Sequence, residues 1–151
     1  MIRKATIADV RTMYALLTRY ATTGVLLPRS LSDLYDQLRD FFVFVPDGAD
    51  TPVAMCSLHI CWEDIAEIRS LAVEESWLRQ GIGRQLVTAC LEEAVTLQIG
   101  RVFVLTYVPP FFEKLGFALV DKAVLPHKVW ADCIKCVKFP DCDEIALMRD
   151  V

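Results

Sequence analysis

Apolar and polar residues alternate in two rhythms along this chain, one of period two and one near 3.6, and each change of rhythm marks a new element. "IRKAT" has the short alternating run of a strand. Thr6 followed three residues later by Asp9 predicts a capping box that opens a helix over "VRTMYALLTRYA", with Gly24 ending it. Ser30 and Asp33 repeat that signature in "LLPRSLSDLYDQLRD", where Leu34 and Leu38 continue at helical spacing. "FFVFV" reads as a strand, "PDGADTP" as a hairpin turn, and "VAMCSLHICW" as the strand that pairs back. "AEIRSLAV" is a further strand. After "SWLRQGIGRQL" the spacing predicts a helix with Ile82, Leu86, Cys90, Ala94 and Leu97 on one face. "RVFVLTYV" is the next strand, and Pro109 and Pro110 start a short helix through "FFEKLGF", closed at Gly116. "FALVDKAV" and "EIALMRDV" complete the set as two more strands.

Antiparallel-type connections followed by strand, glycine turn, helix and strand predict an α/β (α+β) fold. Its mixed, mostly antiparallel central sheet is flanked by helices. At 151 residues and 54% hydrophobic composition the chain suits a single domain, 1–151, with one full core. A net charge of -4 argues against a nucleic-acid partner, whose binding needs a basic face. The absence of a long apolar run or an export signal predicts a cytoplasmic protein without a membrane partner. Its six cysteines then read as reduced thiols rather than a disulfide framework. Cys133, Cys136 and Cys142, with His127 upstream, have the ligand types of a zinc site. One pair and two singles make an incomplete pattern, and no metal is expected.

The glycine turn carries the first chemistry. A turn from strand to helix presents the helix's first N–H groups, which with the helix dipole favour an anion. Gly81 and Gly83 lack Cβ atoms, so a phosphate can approach the backbone closely. A P-loop is excluded because no Lys followed by Ser or Thr comes after the glycines, and Leu86 stands where the dinucleotide fingerprint needs its third glycine. A pyrophosphate cradle with Arg79 and Arg84 nearby remains, beside the alternative of a plain two-glycine turn. In "AEIRSLAV" the period of two places Glu67, Arg69 and Leu71 on one strand face. That arrangement aims a carboxylate and a guanidinium at a shared site, or forms a surface ion pair.

"AEIRSLAV", "GIGRQLV" and "FFEKLGF" together resemble the Gcn5-related N-acetyltransferase family. With "GVLLPRS", "WEDIAEIRSLAV", "VFVLTYVPPFFEKLGF" and "LPHKVW", the likeness extends over nearly the whole chain to the acetyltransferase domain of N-acetylglutamate synthases, especially short single-domain forms. The resemblance implies an acetyl-CoA-dependent enzyme that acetylates the α-amine of an amino acid, L-glutamate, in the step that opens arginine biosynthesis. Another amino acid such as glutamine, a small amine, or a non-catalytic acyl-CoA sensor are the alternatives. It also implies that Leu71, Ala72, Val73, Arg79, Gln80, Gly81, Ile82, Gly83, Arg84 and Phe112 hold the coenzyme, and that the backbone N–H groups near Leu71 to Val73 face the oxyanion. Glu67 falls at the position of the general base in several relatives, and Tyr107 is the candidate acid. Arg29, Arg69 and Lys128 are candidates for the acceptor's carboxylates. A homodimer is compatible with all of this. Two departures stand out: Leu78 replaces the usual Gln or Arg three residues before the first glycine, and Phe112 stands just before "EKLGF", where the family's general acid is often a Tyr. The tail "CIKCVKFPDCDE" lacks the Arg-x-Ser run of the longer synthases, with Lys135 or Lys138 as substitutes, and these 151 residues leave no room for the amino-acid-kinase domain that senses arginine in those enzymes.

Overall fold

Capping chemistry starts both N-terminal helices where the sequence places it. β1 (Ile2–Lys4) leads through a 3-10 turn over Ile7–Asp9 into α1 (Val10–Ala21). Asp9 Oδ2 accepts the Thr6 backbone N–H at 2.8 Å, and the Arg3 guanidinium grips both carboxylate oxygens at 2.7 and 3.0 Å. Gly24, at φ +76°, donates to the Ala21 carbonyl and turns the chain out of α1. Ser30 Oγ accepts from the Asp33 N–H at 3.0 Å to open α2 (Leu31–Asp36). This helix is shorter than its apolar spacing suggests, because Leu38 already belongs to a 3-10 turn that ends at Asp40.

The remaining elements are β2 (Phe41–Phe44), β3 (Ala54–Trp62), β4 (Ile65–Val73), α3 (Ile82–Thr96), β5 (Arg101–Thr106), α4 (Pro109–Glu113), β6 (Ala118–Leu119) and β7 (Ile145–Asp150). The computed structural model describes residues 1–24, 26–126 and 144–151. Among these, seven strands hydrogen-bond in the order β1-β2-β3-β4-β5-β7-β6. The pairs β1–β2, β2–β3, β5–β7 and β6–β7 are antiparallel, and β4–β5 is parallel, in register from Ile65 with Arg101 to Ile68 with Val104. The chain has the mixed α/β fold expected.

Two compact units emerge, Met1–Leu58 with Ser70–Cys90 and His59–Arg69 with Leu91–Val151. In the first, Val10, Met13, Leu16 and Leu17 of α1 and Leu34 of α2 pack on Phe41, Val43, Met55 and Ala72 of the strands. In the second, Ile65 and Phe103 centre a smaller core with Cys61 and Leu125. Along α3, Ile82, Leu86, Cys90 and Ala94 are buried as their spacing predicts. Leu97 is not: α3 stops at Thr96, Gln98 takes φ +62°, and Leu97 lies in the exit turn 48% exposed. "FALVDKAV" also departs from the strand expected of it. Only Ala118–Leu119 forms strand, and Asp121 Oδ1 accepts the Ala123 N–H at 2.9 Å where the chain enters a 3-10 turn.

Candidate functional site

In the first unit the glycine turn has the geometry of an anion cradle. The Gly81 carbonyl accepts the Gln85 N–H at 3.1 Å, the opening bond of α3. The N–H groups of Ile82, Gly83 and Arg84 therefore lie in the first turn, with no carbonyl one turn earlier in the helix to bond. Arg79 at φ +65° and Gly81 at φ +78° put two left-handed residues just before them, the kind of turn that gathers successive N–H groups into a concavity for an anion. A non-glycine residue such as Arg79 holds that conformation only under local constraint. Beside Gly81 the space is open, with nothing within 4 Å of where a Cβ would stand. Arg79, Gln80 and Arg84 are exposed, Gly83 is half-buried, and Ile82 is buried as the anchor of the turn.

β4 delivers the chain to this cradle under restraint. Ala72 is packed into the core between half-buried Leu71 and Val73. The Val73 carbonyl accepts the Tyr20 hydroxyl of α1, and the Glu74 N–H donates to the Val53 carbonyl at 2.8 Å. Burial pushes the Tyr20 phenol up, with Glu75 and Glu74 adding to the effect and Arg19 opposing it. It therefore remains a neutral donor. Tyr20 is a residue that helical periodicity alone could not single out.

Arg29 is not the solvated surface cation that an isolated loop arginine usually is. Its Nη1 donates to Ser70 Oγ at 3.0 Å, its Nη2 donates to Gln37 Oε1, and its guanidinium stands 5.4 Å from the centre of the Phe41 ring. Ser70 itself adopts φ +55° inside β4. That left-handed φ departs from the extended conformation on which a period of two depends. Spacing gives no sign of it, since the residue is not glycine.

In the second unit Glu67 and Arg69 do share a face, and Arg69 Nε meets Glu67 Oε1 at 2.5 Å. Glu67 is only 7% exposed, which removes the reading of an ordinary surface pair. Tyr107 falls just past the end of β5 instead of within it, with 38% of its surface exposed. Phe112 is buried in edge-on contact with Phe111 and Phe117, at 4.9 and 5.5 Å between ring centres. Arg149 of β7 donates from Nη1 to the Leu115 carbonyl at 2.6 Å, closing the turn after α4.

Lys128, Lys135, Lys138, His127, Cys133, Cys136 and Cys142 lie outside the described residues. Among the described residues no group of three or more His, Cys, Asp or Glu is placed to hold a metal ion. Cys56 and Cys90 lie buried with their sulfurs 3.8 Å apart, and the hydrogen bond between them together with burial pushes the Cys56 thiol well up. No helix among the described residues is long and apolar enough to cross a membrane.

Known proteins bear on this arrangement. The profile of the acetyltransferase (GNAT) family matches residues 10–117. An uncharacterized N-acetyltransferase of Chlorobaculum tepidum is 38% identical over 150 residues, 98% of this chain and 94% of that protein. An amino-acid acetyltransferase of Mycobacterium tuberculosis is 36% identical over 131 residues, 86% of this chain and 75% of the relative. Among solved structures, an N-acetylglutamate synthase from Neisseria gonorrhoeae, complexed with coenzyme A and N-acetyl-glutamate, superposes with a TM-score of 0.89 at 25% identity. The match covers 99% of this chain and 34% of that one.

Proposed function

The chain belongs to the acetyltransferase (GNAT) family and is an acetyl-CoA-dependent N-acetyltransferase, and from that premise we propose that it acetylates the α-amine of an amino acid, L-glutamate. The observation that carries the acceptor reading is Arg29. It is half-buried and bonded to Ser70 and Gln37, and a guanidinium fork is the side chain best suited to a carboxylate. The amino-acid acetyltransferase and N-acetylglutamate synthase likenesses support the same reading.

The turn from Arg79 to Arg84 fits the coenzyme, because its left-handed residues, the open space beside Gly81 and the start of α3 together favour a pyrophosphate. Acetyl-CoA supplies an acetyl thioester. Glu67, oriented by Arg69, takes a proton from the acceptor's α-ammonium, so that the amine lone pair becomes free to form the new C–N bond. Backbone N–H groups over Leu71 to Val73 serve the oxyanion on the thioester carbonyl as donors fixed in advance. As the C–S bond breaks, the Tyr107 hydroxyl donates its proton to the departing sulfur, and the second proton that the nitrogen sheds on becoming an amide passes to solvent, from which the phenol is restored. A thiol leaves readily, with a pKa near about 8.5, so this last contribution is modest.

Glu67→Gln tests the base. The change keeps the side chain's shape and removes its basicity, so kcat with L-glutamate should fall about 10²-fold or more while the dissociation constant for coenzyme A stays put. A variant as active as the parent would reduce Glu67 to a partner for Arg69.

A further inference from the structure

We infer that Ser70 and Gln37 are positioning residues that hold the Arg29 guanidinium in place as the carboxylate-recognising fork of the acceptor site. The inference rests on the acceptor reading given above. Arg29 lies within residues 26–30, which have no regular structure of their own, so a long and flexible side chain there needs anchorage to present one geometry. The structure supplies it from three directions. Ser70 Oγ accepts from Nη1 at 3.0 Å, Gln37 Oε1 accepts from Nη2, and the ring of fully buried Phe41 lies 5.4 Å from the guanidinium carbon.

Two features distinguish this from ordinary packing. Ser70 Oγ and Gln37 Oε1 are neutral acceptors, so neither of these two bonds is itself an ion pair, as a carboxylate in either place would make it. The second feature is Ser70's backbone. Its φ of +55° is costly for a residue with a Cβ and persists only where the surroundings impose it. From this left-handed position its hydroxyl meets Arg29, a residue 41 positions earlier in the chain.

Steady-state kinetics on the full chain, with L-glutamate and acetyl-CoA varied in turn, decides the matter. Ser70→Gly keeps the left-handed backbone without strain and deletes the hydroxyl, and Gln37→Leu deletes the other acceptor. Each should raise the KM for glutamate about 3- to 10-fold, the worth of one hydrogen bond, while kcat and the KM for acetyl-CoA stay within about 2-fold. Ser70→Asn tolerates the same backbone and restores an acceptor oxygen, so it should return the glutamate KM toward the parent's. Gln37→Glu is the sharpest variant. A purely structural role predicts binding as good as the parent's, because the carboxylate grips Arg29 harder, whereas positioning of a charged fork predicts a raised glutamate KM. Arg29→Gln separates the inference from its premise. If Arg29→Gln raises the glutamate KM but Ser70→Gly and Gln37→Leu do not, the positioning role is overturned and the acceptor reading stands. Should Arg29→Gln leave glutamate kinetics unchanged, both fall. A parallel change of kcat and both KM values in Ser70→Gly and Gln37→Leu also overturns it, as general damage to the fold.

Discussion

Asp9 ties the first strand to the first helix through one carboxylate, which receives the Arg3 guanidinium, the Thr6 N–H and the Thr6 hydroxyl. Burial alone would raise its pKa, but Arg3 and Thr6 outweigh burial and hold the group below the usual carboxylate range. A carboxylate lowered in this way stabilises the fold above its unfolded-state pKa, about 3.9, and that contribution disappears as pH falls through the lower folded value. Asp9→Asn should therefore lower unfolding free energy by about 1–3 kcal/mol at neutral pH. At pH near 3, where the parent has begun to lose the same interaction, the difference should shrink. Denaturant titrations at the two pH values check this, and an equal gap at both would show that charge is not what Asp9 contributes. The Thr6–Asp9 pair was legible as a spacing of three, whereas its link to Arg3 needed the turn that brings β1 beside α1. The same limit applies at Arg29, where nothing in "LLPRS" points to Ser70 or Gln37.

At the level of elements, the helix starts were readable because each is written in local side chains, Thr6 and Asp9, Ser30 and Asp33, or Pro109. Ends and interruptions were harder. α3 stops before Leu97 and the predicted strand after Gly116 shrinks to two residues, in each case through backbone turns that apolar spacing does not report. β4 is the consequential miss, since its left-handed Ser70 looks like any strand serine. The turn between β4 and α3 was legible from its glycines, and the coenzyme-binding role proposed for it makes a direct demand on α3. Gly83→Val places a branched side chain in the helix's first turn, where phosphate oxygens are to meet backbone N–H groups. Titration calorimetry should then show coenzyme A binding weakened about 10-fold or more, the loss of at least one charge-assisted hydrogen bond, with the circular dichroism spectrum unchanged. Binding at parental affinity would remove the cradle from the account.

For the molecule as a whole, net charge argued against a nucleic-acid partner, and three separated segments carried the family resemblance that the comparisons now show. Neither charge nor periodicity discriminates between acceptors, because glutamate and glutamine differ only in a side-chain terminus that the protein must read with a few atoms. A cation reserved for that terminus contributes about 1.5–3 kcal/mol to a charged acceptor over its amide. That energy corresponds to about 10- to 150-fold in specificity constant. The decisive measurement is kcat/KM for L-glutamate and L-glutamine in the parent and in Arg29→Gln, followed by thiol release with the acetylated product identified by mass spectrometry. Glutamate should be preferred by that factor in the parent, and Arg29→Gln should narrow the preference by weakening glutamate more than glutamine. A parent that acetylates glutamine better than glutamate would contradict the proposed acceptor.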